Sequence, residues 1–178
     1  MIPDSEYFSS DRIIEYVQTG YDGDYTLEWA LEHDYEAWEK ELWVNAKGFE
    51  SNTDYLIWVS IKYQRVNVFL GDSGSWTLDK CFIVGTGAAE SPSPIGVWKT
   101  TYKSSWGWQY DNYAVAPVCG FIPNSGYAFH SRLLTPDRTG LYSDAIGYPV
   151  SHGCVRMYTE DVNWIYDNIP TDTTVVIY

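Results

Sequence analysis

Cysteine chemistry is the first chemistry this sequence offers. Cys154 stands in the run Ser151-His152-Gly153-Cys154-Val155-Arg156-Met157. The thiolate is the nucleophilic form, and a free thiol with a pKa of about 8.5 is mostly protonated at neutral pH. A working nucleophile therefore needs a base or a positive environment. Gly153 permits a tight turn in front of the sulfur and lets amide N–H groups face a developing oxyanion. The bland alternative is a buried, inert cysteine, the commoner state of a lone one.

Two histidines are candidate bases. His152 is near in sequence, but a base must meet the sulfur in space. His130 ends an expected strand, with Ser131 after it, where strands deliver side chains into a cleft, and it is preferred over His152. His33 falls in an acidic helical stretch and reads as solvated. Val155 and Met157 alternate with Arg156, as in a short extended segment leaving the turn. Arg156 fits two roles equally, a structural bond to the loop or a partner for a substrate carboxylate.

Other uses of the cysteines are weaker. His152, Cys154, Cys81 and Cys119 lack the Cys-x-x-Cys spacing usual for zinc, so no metal is expected. Cys81 and Cys119 are left open as a disulfide in an oxidising compartment. An odd cysteine count leaves one thiol free within the chain.

The elements that must position these residues fall into two parts. Residues 1–50 read as a helical segment or linker. Leu27, Ala30, Leu31, Tyr35, Trp38 and Leu42 lie at three-and-four spacing, which predicts one helical face. Asp24 or Thr26 is the expected cap and Gly48 the expected end; Glu28, Glu32, Glu36 and Glu39 fall mostly on the wet side. Asp11 to Gln18 is a second, shorter helical candidate.

Residues 51–178 read as mainly β. Tyr55–Tyr63 and Arg65–Leu70 are short, rich in β-branched and aromatic residues, and close enough to pair as a hairpin. Further strands are expected at Trp76–Val84, Val97–Tyr102, Tyr127–His130 and Thr173–Tyr178. A helix is expected from Thr159, capped by its hydroxyl, to about Asn168. The Trp/Tyr/Gly/Pro-rich stretch from Lys103 to Gly126 follows no pattern of its own.

Composition narrows the classes. The chain has 178 residues, and 45% of them are apolar, enough for one real core. A formal charge of -13 disfavours nucleic-acid binding. The 9 Trp and 16 Tyr are an unusually heavy load; many are expected in the core, and a surplus in loops would suit stacking on a flat or carbohydrate-bearing ligand. No stretch reaches the ~20 apolar residues of a membrane span, and no signal peptide is visible. Met1 fits a cytosolic start as well as a chain trimmed of an anchor.

The seven-residue run around Cys154 resembles the signature of the L,D-transpeptidase catalytic domain family (YkuD-like). Tyr127-Ala128-Phe129-His130-Ser131 resembles the family's histidine segment, and Ser91-Pro92-Ser93-Pro94-Ile95-Gly96 its Pro-rich loop. Tyr55 to Val59 resembles its first strand. Asn163 to Pro170 and Thr174 to Ile177 resemble its last helix and strand, so the likeness covers about residues 53–178. An Arg stands at 156 where some members carry Asn.

The resemblance implies an L,D-transpeptidase-like β-sandwich with a few helices, preceded by the short helical N-terminal segment. It implies catalysis by Cys154 and His130, with the Ser131 carbonyl orienting the imidazole. Gly153, His152, Ser151 and Arg156 would form or position the oxyanion turn, without a cofactor. Peptidoglycan stem peptides are the implied donor and acceptor, joined 3→3. The implied setting is extracytoplasmic, in the wall or on an outside surface, with any membrane anchor outside this sequence and the protein a monomer. Two alternatives accompany this reading: an L,D-carboxypeptidase with the same nucleophile, and a non-catalytic wall-binding module.

Overall fold

The structure is a computed structural model and describes residues 25–178. Two helices come first, α1 (Leu27–Glu32) and α2 (Ala37–Lys47). Strands β1 (Tyr55–Ser60), β2 (Arg65–Leu70), β3 (Thr77–Gly85) and β4 (Gly96–Lys99) follow. Short strands come next: β5 (Lys103–Ser104), β6 (Trp108–Gln109), β7 (Ala114–Val115), β8 (Val118–Gly120), β9 (Ala128–Ser131), β10 (Leu133–Leu134) and β11 (Leu141–Ser143). The chain closes with β12 (Val155–Met157), α3 (Thr159–Asn168) and β13 (Thr174–Ile177).

The architecture is mainly β with few helices, as the sequence predicts. One sheet has the order β4-β13-β1-β2-β3-β12-β9-β8-β5, and a smaller one β11-β10-β7-β6. The expected hairpin is present, with Ser60 opposite Arg65 and Tyr55 opposite Leu70. Its strands read as nearly continuous apolar runs because both faces are covered. Ile57 and Val59 face one core with Val155, Met157 and the α3 residues Val162 and Ile165. Leu56 and Trp58 face a second core with Trp43 and Val44 of α2.

The N-terminal helices differ from expectation. The predicted single helix breaks after Glu32, because His33 is extended and Glu36 starts α2 through a capping box with Glu39. The break resets the helical phase. Leu31, Trp38 and Leu42 of the predicted face are exposed, while Lys40, Trp43 and Val44 are buried. Lys40 is accommodated because its Nζ meets Asp34 Oδ2 at 2.5 Å and Asn67 Oδ1 at 2.8 Å. The Thr26 cap forms, and Gly48 ends α2 in the left-handed region. At α3 the cap is Tyr158 and Thr159 is the first helical residue, so the expected hydroxyl cap is absent. The candidate helix at Asp11–Gln18, and Asp24, lie outside the described residues.

Asn45 ties α2 to the sheet by accepting from Trp76 N at 2.7 Å and donating to Trp76 O at 2.9 Å. Removing both bonds from a partly buried strand end costs about 2 kcal/mol. Asn45→Ala should therefore lower the unfolding free energy by that amount, read as a lower urea midpoint with the slope unchanged. An unaltered midpoint would show that the helices dock without this clamp.

Candidate active site

The pairing of β12 with β9 builds the site. The two strands are parallel, with Val155 opposite Phe129, Arg156 opposite His130 and Met157 opposite Ser131. Alternate side chains of a strand point to opposite faces. Val155, Met157 and Phe129 enter the core. His130 and Arg156 therefore share the other face, and Cys154, two residues before Arg156, joins them. All three line one pocket of about 120 Å³, with Trp108, Tyr113 and His152 also on its wall.

His130 is buried, and its Nδ1 lies 2.6 Å from Ser131 O. A carbonyl only accepts, so Nδ1 carries the proton and Nε2 keeps a lone pair. Burial pushes the imidazole pKa down to about 4, with Arg156 acting the same way and the Ser131 carbonyl opposing. The ring is a neutral acceptor at physiological pH. Ser131 also has a structural bond, its Oγ accepting from Ala116 N at 3.0 Å.

The Cys154 thiol is partly buried and donates to Gly126 O at 3.1 Å, not to His130. Burial pushes its pKa up to about 11, opposed by the Ala128 amide and the Arg156 guanidinium. The resting pair is thus a neutral thiol beside a neutral imidazole. Desolvation outweighs the attraction that an ion pair would gain here.

The turn before Cys154 is held from several sides. Gly153 has φ +108, and an added Cβ would lie 2.6 Å from the Tyr127 ring. Ser151 Oγ accepts from Gly153 N at 3.1 Å and donates to Cys154 O at 2.5 Å. The Gly153 amide is thereby engaged, while the Cys154 amide donates to no acceptor among the described residues. Of these two amides, that of Cys154 is the one open to an incoming group. The Pro-rich loop backs the turn: Ser93 Oγ donates to Gly153 O at 2.9 Å and accepts from Gly87 N at 2.9 Å.

His152 is exposed at the pocket rim, so the structure separates the two candidate bases by burial. His33 is exposed on the remote N-terminal helices, stacked on Trp29 at 4.3 Å. Arg156 is buried, its NH1 reaching Ala145 O at 3.4 Å and its Nε without a partner among the described residues. Burial pushes its pKa down. Cys81 is exposed beside Lys40 and Cys119 is buried in the core, and all three cysteines are free. Among the described residues no group of three His, Cys, Asp or Glu side chains could hold a metal ion.

Sequence reasoning missed Ser93, Gly126 and the aromatic wall of Trp108 and Tyr113. Ser93 stands in a loop singled out only as a whole, for its resemblance to the family's Pro-rich loop. Gly126 acts through its carbonyl, which every residue type has. The wall had one signal, the crowding of Trp and Tyr between Tyr102 and Tyr113.

The model of the L,D-transpeptidase catalytic domain (YkuD) matches residues 54–177. YciB of Bacillus subtilis (strain 168), provisionally named an L,D-transpeptidase, is 42% identical over 53 residues, covering 29% of this chain and 27% of that protein. Three solved structures share the fold. A fused Zn-dependent amidase/peptidase/peptidoglycan-binding domain-containing protein from Clostridium acetobutylicum is 24% identical, with a TM-score of 0.65 over 96% of this chain and 63% of that one. An L,D-transpeptidase from Stackebrandtia nassauensis is 19% identical, with a TM-score of 0.57 over 94% and 76%. LdtMt1 in complex with imipenem is 18% identical, with a TM-score of 0.53 over 70% and 59%. The chain spans less than two thirds of the length of the first relatives it matches.

Two outcomes follow from the site geometry. Thiolate absorbance of wild type minus Cys154→Ala should titrate well above pH 9, as burial requires; a midpoint near 7 would mean a resting ion pair. Ser93→Ala strands the buried Gly87 amide, at a cost of about 2 kcal/mol, so Tm should fall by about 6 °C and Cys154 acylation should slow. Unchanged Tm and rate would remove Ser93 from the support of the turn.

Proposed function

The chain belongs to the L,D-transpeptidase catalytic domain (YkuD) family, and from that premise we propose that it is a cysteine-dependent peptidoglycan L,D-transpeptidase. The observation that carries the reading is the shared pocket of Cys154 and His130, with the imidazole tautomer locked by Ser131 O. A pure wall-binding module has no use for a buried base fixed beside a thiol.

In this reading Cys154 Sγ attacks the carbonyl that joins the third stem residue to the terminal D-alanine. His130 Nε2 takes the thiol proton as the S–C bond forms. The two neutral groups avoid a costly charge separation before substrate arrives. The oxyanion develops against the Cys154 amide, a preorganised donor on the fixed turn. Collapse breaks the C–N bond, and His130 returns the proton to the departing amine of D-alanine. A thioester remains on Cys154. The side-chain amine of the third residue of a second stem attacks it, loses a proton to His130 and releases the thiol. The product is a 3→3 cross-link, and no cofactor enters.

Arg156 supports the donor side. Its guanidinium is buried in the pocket with an Nε unpartnered among the described residues, which suits a substrate carboxylate. His152 and Ser151 position the turn. The substrate is found outside the cytoplasm, so the enzyme works there, as a monomer in the wall or held at an outside surface.

Cys154→Ala should abolish turnover of a tetrapeptide muropeptide and covalent addition of a carbapenem, read by mass spectrometry. His130→Ala should slow acylation by about 10²-fold or more, and His152→Ala far less. An adduct on Cys154→Ala, or inactivity confined to His152→Ala, would reassign the chemistry. Tripeptide monomer without cross-linked dimer would make the enzyme an L,D-carboxypeptidase.

A further inference from the structure

The stretch from Tyr102 to Tyr113 carries more aromatic surface than the catalytic pocket uses. It carries β6, which pairs with β7 just beyond it, and Trp108 and Val115 of that pair line the pocket with His130 and Cys154. On its outer side lies a second depression, an open groove of about 580 Å³ lined by Tyr102, Trp106, Trp108, Gln109, Tyr110 and Ser125. Trp108, Tyr110 and Gly126 line both the groove and the catalytic pocket, so the two are continuous.

The groove is built rather than incidental. Trp106 is 69% exposed, yet its ring is held: the Arg138 guanidinium lies 4.1 Å over it. Arg138 NH1 donates to Trp106 O, and NH2 donates to Gln109 Oε1 at 3.2 Å. Gly107 follows with φ +70, and a Cβ there would stand 1.9 Å from Val115 O, so the turn presenting the ring accepts only glycine. One face of Trp106 is thus stacked on a cation and the other is bare. Tyr110 is fixed by Tyr113, with ring centroids 4.6 Å apart. An exposed ring that is already immobilised loses little entropy when a ligand covers it.

The lining also selects a class of ligand. Its lining side chains carry no charge, and its polar groups are hydroxyls, a carboxamide and two indole N–H groups. The cation that borders the groove, Arg138, is stacked on the Trp106 ring and donates to Trp106 O and Gln109 Oε1, so the cation that suits a stem carboxylate is Arg156 of the inner pocket. Flat apolar faces edged by neutral hydrogen-bonding groups match a neutral pyranose, which offers C–H faces to a ring and hydroxyls to its rim.

We propose that the groove formed by Trp106, Tyr110 and Tyr102 is a saccharide subsite, holding N-acetylated sugar rings of the glycan strand while the attached stem enters the pocket at Cys154. What the sugar carries rests on the transpeptidase reading; the binding itself does not.

The test uses a β-1,4-linked N-acetylglucosamine tetramer, titrated into the full chain carrying Cys154→Ala and followed by tryptophan fluorescence. Saturable binding is expected, weakened about fivefold or more by adding Trp106→Ala or Tyr110→Ala and retained by Trp106→Phe. A second arm compares wild-type KM for a disaccharide-linked tetrapeptide and for the sugar-free tetrapeptide. The linked substrate should have the lower KM, and Trp106→Ala should shrink that ratio. No saturable change with the tetramer, or equal binding by Trp106→Ala, overturns the subsite. Tetramer binding without turnover of either tetrapeptide would leave the groove standing and remove the transpeptidase reading. Turnover with equal KM values and no tetramer binding would do the reverse.

Discussion

Everything at the site depends on the parallel register between β9 and β12. With Arg156 opposite His130, the residues that alternate inward are Phe129, Val155 and Met157, and those that alternate outward are His130, Arg156 and Cys154. A slip of one residue would send the imidazole into the core and a phenyl ring into the pocket. The same apolar contacts that stabilise the sheet therefore fix which side chains face the pocket. Parallel neighbours need a long connection, and the chain uses the segment between Ser131 and Ser151 to build β10 and β11. Those strands complete the small sheet that walls the pocket.

Burial then sets the electrostatics. An exposed thiol and imidazole would titrate near their ordinary values. Here desolvation drives the thiol up to about 11 and the imidazole down to about 4. Both groups rest uncharged. Arg156 acts on the two groups in opposite senses: its charge keeps the imidazole neutral but pulls the thiol pKa down, favouring an anion beside it. The Ser131 carbonyl supplies orientation at no cost in charge. The Pro-rich loop contributes through Ser93, which bonds the turn on its protein side and leaves the opposite side open.

The catalytic half of the chain was largely legible. Alternation and β-branched runs give β1, β2 and β13, and the motif around Cys154 points to acyl transfer before any geometry is known. The N-terminal half was less so. A helical period carries information only while the helix is unbroken, and the extended residues after Glu32 reset its phase. One of the three buried residues of α2 is moreover a lysine, whose place depends on Asp34 and Asn67 rather than on hydrophobicity. The aromatic insert was opaque for a different reason. Its strands are two residues long, too short for any period, and its shape comes from Gly107, Arg138 and ring stacking. The choice of His130 over His152 became physical only when one proved buried and bonded and the other exposed.

The account makes one claim from which the mechanism is built: His130 rests as a neutral imidazole with its proton on Nδ1, held there by Ser131 O. Nitrogen-15 NMR of the labelled protein reads this directly, with His130→Gln identifying the resonances. The expected spectrum at pH 7 has a protonated Nδ1 and an unprotonated Nε2, unchanged as pH falls until about 4. Two protonated ring nitrogens at pH 7 would make the resting state an ion pair and contradict the account.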